Sequence, residues 1–202
     1  QKPIELGADV VMYSTTKHID GQGRVLGGAI LGSNDYFKNH LLPFNRHTGF
    51  SMSPFTAWVL VKSLETVQMR VKQMSESAKA IAEFLENHPK IELVRYSGLK
   101  SHPRHAIAMK QQTNSGGSMI GFNVKGGKAE AFKLMNNLSV IDISNNLGDS
   151  KSLITHPSSS THRRLSFEIQ ESMGIMQNTL RMSVGLEAAT HLIKDLDVAL
   201  SS

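Results

Sequence analysis

The hydrophobic positions of this chain fall into two textures, divided near Pro89. On the N-terminal side, residues 9–13 and 25–31 are short apolar runs of strand length, separated by a glycine-rich turn at 21–23. Residues 9–13 read as a short buried strand. Ser33 or Asn34 is placed to cap a short helix through residues 36–38, and the stretch from Pro43 to Pro54 reads as irregular. Ser53 followed by Pro54 is a helix start, with a hydroxyl at the cap and proline where no N–H is missed. From there Leu60, Leu64, Val67, Val71, Met74, Ala78, Ile81 and Leu85 alternate spacings of four and three. That stripe predicts one continuous amphipathic helix, stopped by Asn87-His88-Pro89. A helix of this length links two domains, crosses a subunit contact or serves a core, and periodicity alone leaves these open.

Beyond Pro89, residues 91–96, 118–124, 140–143 and 179–184 look like strands, and 128–138 and 187–200 like helices. Their irregular alternation predicts a small α+β domain with helices over one sheet face. Residues 158–161 form a polar loop, and no internal repeat is present.

Composition narrows the function classes. The 202 residues are 40% hydrophobic and 19% charged, enough apolar content for one large domain or a modest pair, and not a disordered chain. No apolar run reaches the roughly 18 residues that cross a bilayer, so no membrane partner is expected. The start, Gln1-Lys2-Pro3-Ile4-Glu5, has neither an initiator methionine nor a signal-peptide core and reads as the middle of a longer protein. With no cysteine, a disulfide framework, a thiolate zinc site and a cysteine nucleophile are excluded, as a reducing cytoplasm would allow. The net charge of +5 is spread thinly, so nucleic-acid binding is not expected. Arg163-Arg164 is the one adjacent basic pair; it reads as a solvated loop pair ahead of a grip on an acidic substrate tail or a subunit contact.

The candidate chemistry sits at Tyr13-Ser14-Thr15-Thr16-Lys17-His18-Ile19-Asp20-Gly21-Gln22-Gly23. A lysine with hydroxyls one and three residues before it suits a Schiff base to an aldehyde cofactor whose phosphate the hydroxyls hold. Gly21, Gly23, Gly27 and Gly28 allow sharp turns and close backbone approach. By itself S-x-T-K recurs by chance, and a surface lysine in a polar turn satisfies it equally. The nine histidines lack metal-site spacing, so structural roles and no metal are expected. Gly21-x-Gly23 with Gly27 precedes a strand and fails the dinucleotide fingerprint. Met69 and Met74 read as core filler.

The wider pattern is more specific. Ser14-Thr15-Thr16-Lys17, then Ile19-Asp20-Gly21-Gln22-Gly23-Arg24 and Gly27-Gly28, come with Gly49-Phe50-Ser51-Met52-Ser53-Pro54 and Tyr96-Ser97-Gly98-Leu99. Ser152-Leu153-Ile154-Thr155-His156-Pro157 and Leu180-Arg181-Met182-Ser183-Val184-Gly185-Leu186-Glu187 follow in order. Together these resemble, over essentially all 202 residues, the cystathionine γ-synthase-like family of pyridoxal-phosphate enzymes in its sulfhydrylase branch.

That resemblance implies an α/β chain, the C-terminal part of a fold-type I PLP-dependent transferase. Residues 1–53 would end the large cofactor domain, 54–88 would be the inter-domain helix, and 89–202 the small α+β domain. The cofactor would be pyridoxal 5'-phosphate (PLP), with Lys17 as its Schiff-base and proton-shuttling residue and Ser14 and Thr16 on its phosphate. Arg181 would pair with the substrate α-carboxylate, and Ser152 would lie beside it, acting mainly through its backbone. The implied reaction is γ-replacement of O-succinyl-L-homoserine by sulfide, giving homocysteine and succinate in methionine biosynthesis. Use of O-acetylhomoserine, cystathionine synthesis and γ-elimination are the alternatives. A cytoplasmic homotetramer built from dimers with shared active sites is also implied. The family's aspartate for the pyridine nitrogen, stacking tyrosine and glycine-rich phosphate loop have no counterpart here, so this part alone is expected to be inactive. A non-catalytic assembly module is the reading of a different class.

Overall fold

In the computed structural model, which describes residues 1–113 and 115–202, the first ladder pairs Val10–Ser14 (β1) with Gly28–Gly32 (β2) antiparallel. Ser14 stands opposite Gly28 and Tyr13 opposite Ala29. The expected burial of this strand is not found: Val10 and Tyr13 are exposed and Met12 is 80% exposed. The ladder has only two strands, and no second layer covers it among the described residues. The second strand starts at residue 28 rather than 25: the Gly27 carbonyl still accepts from Thr15 opposite it, but the Gly27 N–H leaves the ladder for the Thr16 hydroxyl.

Asn34–Tyr36 (α1) opens with Ser33 as its cap, the Tyr36 N–H donating to Ser33 Oγ at 3.1 Å. The chain stays helical through Phe37–Leu41 into Leu42–Thr48 (α2), so the stretch expected to be irregular is partly helix. Pro43 lies in the first turn of α2, and Gly49 ends that helix in the left-handed region at φ +72°. Ser53 caps Pro54–Leu64 (α3) as its sequence suggests, accepting from the Thr56 N–H at 3.1 Å.

The predicted single helix is two. After α3 a turn at residues 65–66 intervenes before Val67–Glu86 (α4). Ser63 donates its hydroxyl to the Val59 carbonyl at 2.7 Å, and the Thr66 N–H returns to the Ser63 carbonyl at 3.3 Å. Side-chain bonding of this kind competes with the regular ladder and breaks a run that hydrophobic spacing reads as continuous. By internal contacts the chain divides into Gln1–Gln68 and Met69–Ser202.

The second unit holds Ile91–Arg95 (β3), His105–Gln111 (α5), Met119–Val124 (β4), Lys128–Asn136 (α6) and Asp142–Ile143 (β5). Leu153–Thr155 (β6), Phe167–Ser172 (α7), Thr179–Ser183 (β7) and Ala189–Ser201 (α8) complete it. The sheet order is β3-β4-β7-β6-β5, antiparallel except between β5 and β6. Met74, Ala78, Ile81 and Leu85 of α4 are fully buried, as are Ile120, Phe122, Leu180, Met182, Leu192 and Leu196. Burial of one such Leu or Ile is worth about 1.5–3 kcal/mol, so one sheet face against α4, α6 and α8 carries this unit. On β7 alternation turns Leu180 and Met182 to that core and leaves Thr179, Arg181 and Ser183 on the opposite face.

Strand β6 and helices α5 and α7 are absent from the sequence-derived elements. The buried Asp195 carboxylate accepts from the Ser139, Val140 and Ile141 N–H groups at 2.8, 3.0 and 3.1 Å, replacing ladder bonds just before β5. No described helix is long and apolar enough to cross a membrane.

Candidate functional site

Ser14, Thr16 and Lys17 share one turn at the end of β1. Ser14 is exposed and caps the π-helical turn Thr15–Ile19 without a side-chain bond. Lys17, half-buried, interrupts that turn at φ −91°, ψ −127°. Thr16 closes on Gly27: its hydroxyl accepts from the Gly27 N–H at 3.0 Å and donates to the Gly27 carbonyl at 3.3 Å. The Thr15 N–H reaches the same carbonyl at 3.0 Å. Thr15 is 4% exposed, and its Oγ1 makes no hydrogen bond.

The turn beyond Lys17 is fixed by Asp20. Its buried carboxylate accepts from the Arg24 N–H at 2.6 Å and from Arg24 Nε at 3.0 Å. Arg24 Nη2 donates to the Asp20 carbonyl at 3.0 Å and to Ser63 Oγ at 2.6 Å, tying the turn to α3. Gly21 and Gly23, at φ +69° and +63°, supply the left-handed positions that the turn requires.

Arg181 and Ser152 lie in the other unit. Arg181, on the middle strand of the sheet, has Gly121 on one side and Thr155 on the other. Its Nη2 donates to the Asn145 and Asn146 carbonyls at 2.9 and 3.1 Å, while its buried Nε makes no hydrogen bond. Burial holds the guanidinium below its ordinary pKa. A half-buried cation whose buried Nε is an unused donor is matched to a carboxylate.

Ser152 is otherwise employed. Its N–H and hydroxyl donate to the two oxygens of Glu187 at 2.7 and 2.8 Å, its hydroxyl accepts from the Gly185 N–H at 2.9 Å, and its carbonyl accepts from Asp142. The backbone groups expected to face a ligand are thus taken up in the fold. Ser152 precedes Thr155, the residue paired with Arg181, by three positions, roughly 10 Å along a strand. A cleft of about 510 Å³ beside Gly98, Leu99 and His105 contains none of the five predicted residues.

Sequence reasoning missed Thr15, Asp20 with Arg24, and the Asn145 and Asn146 carbonyls. The spacing of Asp20 and Arg24, an acid four residues before a base, was the signal for one of them. Two of the histidines are engaged locally: His156 Nε2 meets the Gln177 carbonyl at 2.8 Å, and His105 Nδ1 meets that of Ser97 at 3.1 Å. Among the described residues no three His, Cys, Asp or Glu side chains gather as a metal site.

The family described as Cys/Met metabolism PLP-dependent enzyme matches residues 1–201. The chain belongs to that family. Among curated relatives, an O-succinylhomoserine sulfhydrylase of Mycobacterium tuberculosis is 49% identical, over 100% of this chain and 50% of its own length. An L-methionine gamma-lyase of Porphyromonas gingivalis is 42% identical, over 100% of this chain and 50% of its own length. A solved cystathionine gamma synthase of Xanthomonas oryzae pv. oryzae, in complex with aminoacrylate and cysteine, superposes with a TM-score of 0.94. It is 37% identical, over 100% of this chain and 52% of that one. The chain thus spans about half the length of the curated relatives it matches. Its fold is that of fold-type I PLP-dependent enzymes.

Pyridoxal phosphate is the cofactor of this family, and the residues present fit it. One turn offers an amine and two hydroxyls, and the Thr16 oxygen is anchored by an N–H that leaves its proton available to an anion. The unpaired buried Nε of Arg181 suits the carboxylate of an amino acid.

Proposed function

We propose that the full-length protein performs γ-replacement on O-succinyl-L-homoserine with sulfide, releasing succinate and giving homocysteine. The observation that carries this reading is the single turn bearing Ser14, Thr16 and Lys17, with the Thr16 oxygen held by Gly27. The identity of 49% to an O-succinylhomoserine sulfhydrylase supports the acyl group and the nucleophile. When bound, the cofactor supplies an electron sink for charge developing on the substrate carbons.

In this reading Lys17 would hold the cofactor through its aldehyde, and its amine would take and return protons at the substrate carbons. Ser14 and Thr16 donate hydroxyl protons to the phosphate, charge-assisted bonds roughly twice as strong as neutral ones. Arg181 orients the substrate through its α-carboxylate, with the Nε–H as the donor not yet used, while Nη2 also stays on Asn145 and Asn146. Ser152 serves Arg181 indirectly, holding the start of β6 to Gly185 and Glu187. Residues 1–53 belong to the cofactor domain, 54–88 to the linking segment and 89–202 to the smaller domain. The protein acts as a cytoplasmic homotetramer of dimers with shared sites.

The test gives purified full-length protein O-succinyl- or O-acetyl-L-homoserine with sulfide or cysteine, and L-methionine alone. Homocysteine formed with the highest kcat/KM from the succinyl ester and sulfide is expected. Faster release of ammonia from methionine would assign a γ-lyase instead.

A further inference from the structure

We infer that Gly27 is a positioning residue for the cofactor phosphate: its N–H orients the Thr16 hydroxyl, and its missing side chain lets the 15–17 turn close on it. This rests on the reading of Thr16 as a phosphate-binding residue. A hydroxyl has one proton to give and two lone pairs to fill. Here one lone pair is filled by the Gly27 N–H at 3.0 Å. The proton is held loosely, at 3.3 Å from a Gly27 carbonyl that the Thr15 N–H already occupies at 3.0 Å; O–H···O bonds are ordinarily about 2.7–2.8 Å. A phosphate oxygen can therefore draw the proton away while the N–H keeps the Thr16 oxygen in place. One residue beyond the Ser14–Gly28 pair, Thr15 stands opposite Gly27 and donates its N–H to the Gly27 carbonyl, whereas the Gly27 N–H turns to Thr16 and is not needed by the sheet.

No other residue allows this closure. A Cβ at position 27 would stand 2.7 Å from Thr15 Oγ1 and 3.0 Å from Met52 Cε. The methionine end can swing aside. Thr15, buried at 4% exposure, has nowhere to go without moving the turn. Alanine at 27 would thus push Thr15 and Thr16 off the Gly27 backbone and release the Thr16 oxygen from its anchor.

The test uses full-length apoprotein as wild type, Thr16→Val, Gly27→Ala and the double variant. Dissociation constants are measured by absorbance titration with pyridoxal phosphate and with pyridoxal, which lacks the phosphate. Thr16→Val and Gly27→Ala should each weaken pyridoxal phosphate about tenfold or more, as expected for a bond to a charged group. Each should leave pyridoxal within about twofold, and the double variant should be no weaker than the singles. Unchanged pyridoxal phosphate affinity in Thr16→Val overturns the underlying reading of Thr16. A loss in Thr16→Val without one in Gly27→Ala, losses that multiply in the double variant, or equal loss of pyridoxal in Gly27→Ala overturn the role of Gly27 alone. Should Gly27→Ala fail to fold, amide exchange in Thr16→Val decides. The Gly27 amide should then exchange about tenfold faster than in wild type while the Thr15 amide stays protected; an unchanged Gly27 rate overturns the inference.

Discussion

Replacing Asp20 by alanine should destabilise the turn that follows Lys17 more than its place in a surface loop suggests. The carboxylate is fully buried and accepts from the Arg24 N–H at 2.6 Å and Arg24 Nε at 3.0 Å, with a long third contact to the Val25 N–H at 3.4 Å. A bond to a charged group contributes about 1.5–3 kcal/mol, and the 2.6 Å bond would be lost with its backbone donor left behind. The ion pair itself adds little, because the Arg24 side chain is 43% exposed and regains water when its partner is removed. The expected cost is about 2–3 kcal/mol for Asp20→Ala. Asp20→Asn, which keeps one acceptor oxygen for the Arg24 N–H, should cost about 1 kcal/mol. At about 2–4 °C per kcal/mol for a chain of this size, Asp20→Ala should lower Tm by roughly 4–12 °C. Thermal unfolding followed by circular dichroism measures this. A Tm within about 1 °C of wild type, or an asparagine variant as damaged as the alanine one, would refute the reasoning.

Three further outcomes follow from buried polar groups. Thr15→Val replaces a buried hydroxyl that makes no hydrogen bond and should raise stability by about 1 kcal/mol in urea unfolding; a loss of that size would contradict it. Burial, reinforced by the charge of Glu83, pushes the Tyr96 phenol up to about 12, from 10.0. The folded state therefore holds this proton more tightly than the unfolded one, and the stabilisation is complete below pH 10 and lost as pH rises towards 12. Stability measured across that window should fall less steeply in Tyr96→Phe. Asp195→Ala leaves three N–H groups without their acceptor and should cost about 3 kcal/mol in the urea unfolding of residues 69–202, with faster amide exchange at Ser139, Val140 and Ile141.

What the sequence carried of this structure follows from which forces leave a periodic trace. The caps at Ser33 and Ser53 were legible because a single hydroxyl satisfies a nearby N–H. The apolar stripe of α4 was legible because Met74, Ala78, Ile81 and Leu85 face one core. The break after Leu64 was not, since it depends on Ser63 bonding Val59 and Arg24, and the stripe runs through it unchanged. Strand β6 is three residues long, too short for a period, and α7 is one and a half turns whose buried residue is the polar Gln170. Around Lys17 the hydroxyl spacing was visible, but the closure of Thr16 on Gly27 joins residues 11 apart and has no sequence signature beyond a glycine. For Ser152 the motif gave the position and missed that Glu187 and Gly185 occupy its donors and acceptor.

The assignment of Lys17 is tested most directly by borohydride reduction of the full-length protein loaded with pyridoxal phosphate, followed by peptide mass spectrometry. A reduced pyridoxyl group on Lys17, absent from Lys17→Ala, is the expected result. Label on a different lysine with Lys17 unmodified, or no label on a protein that retains activity, would contradict it.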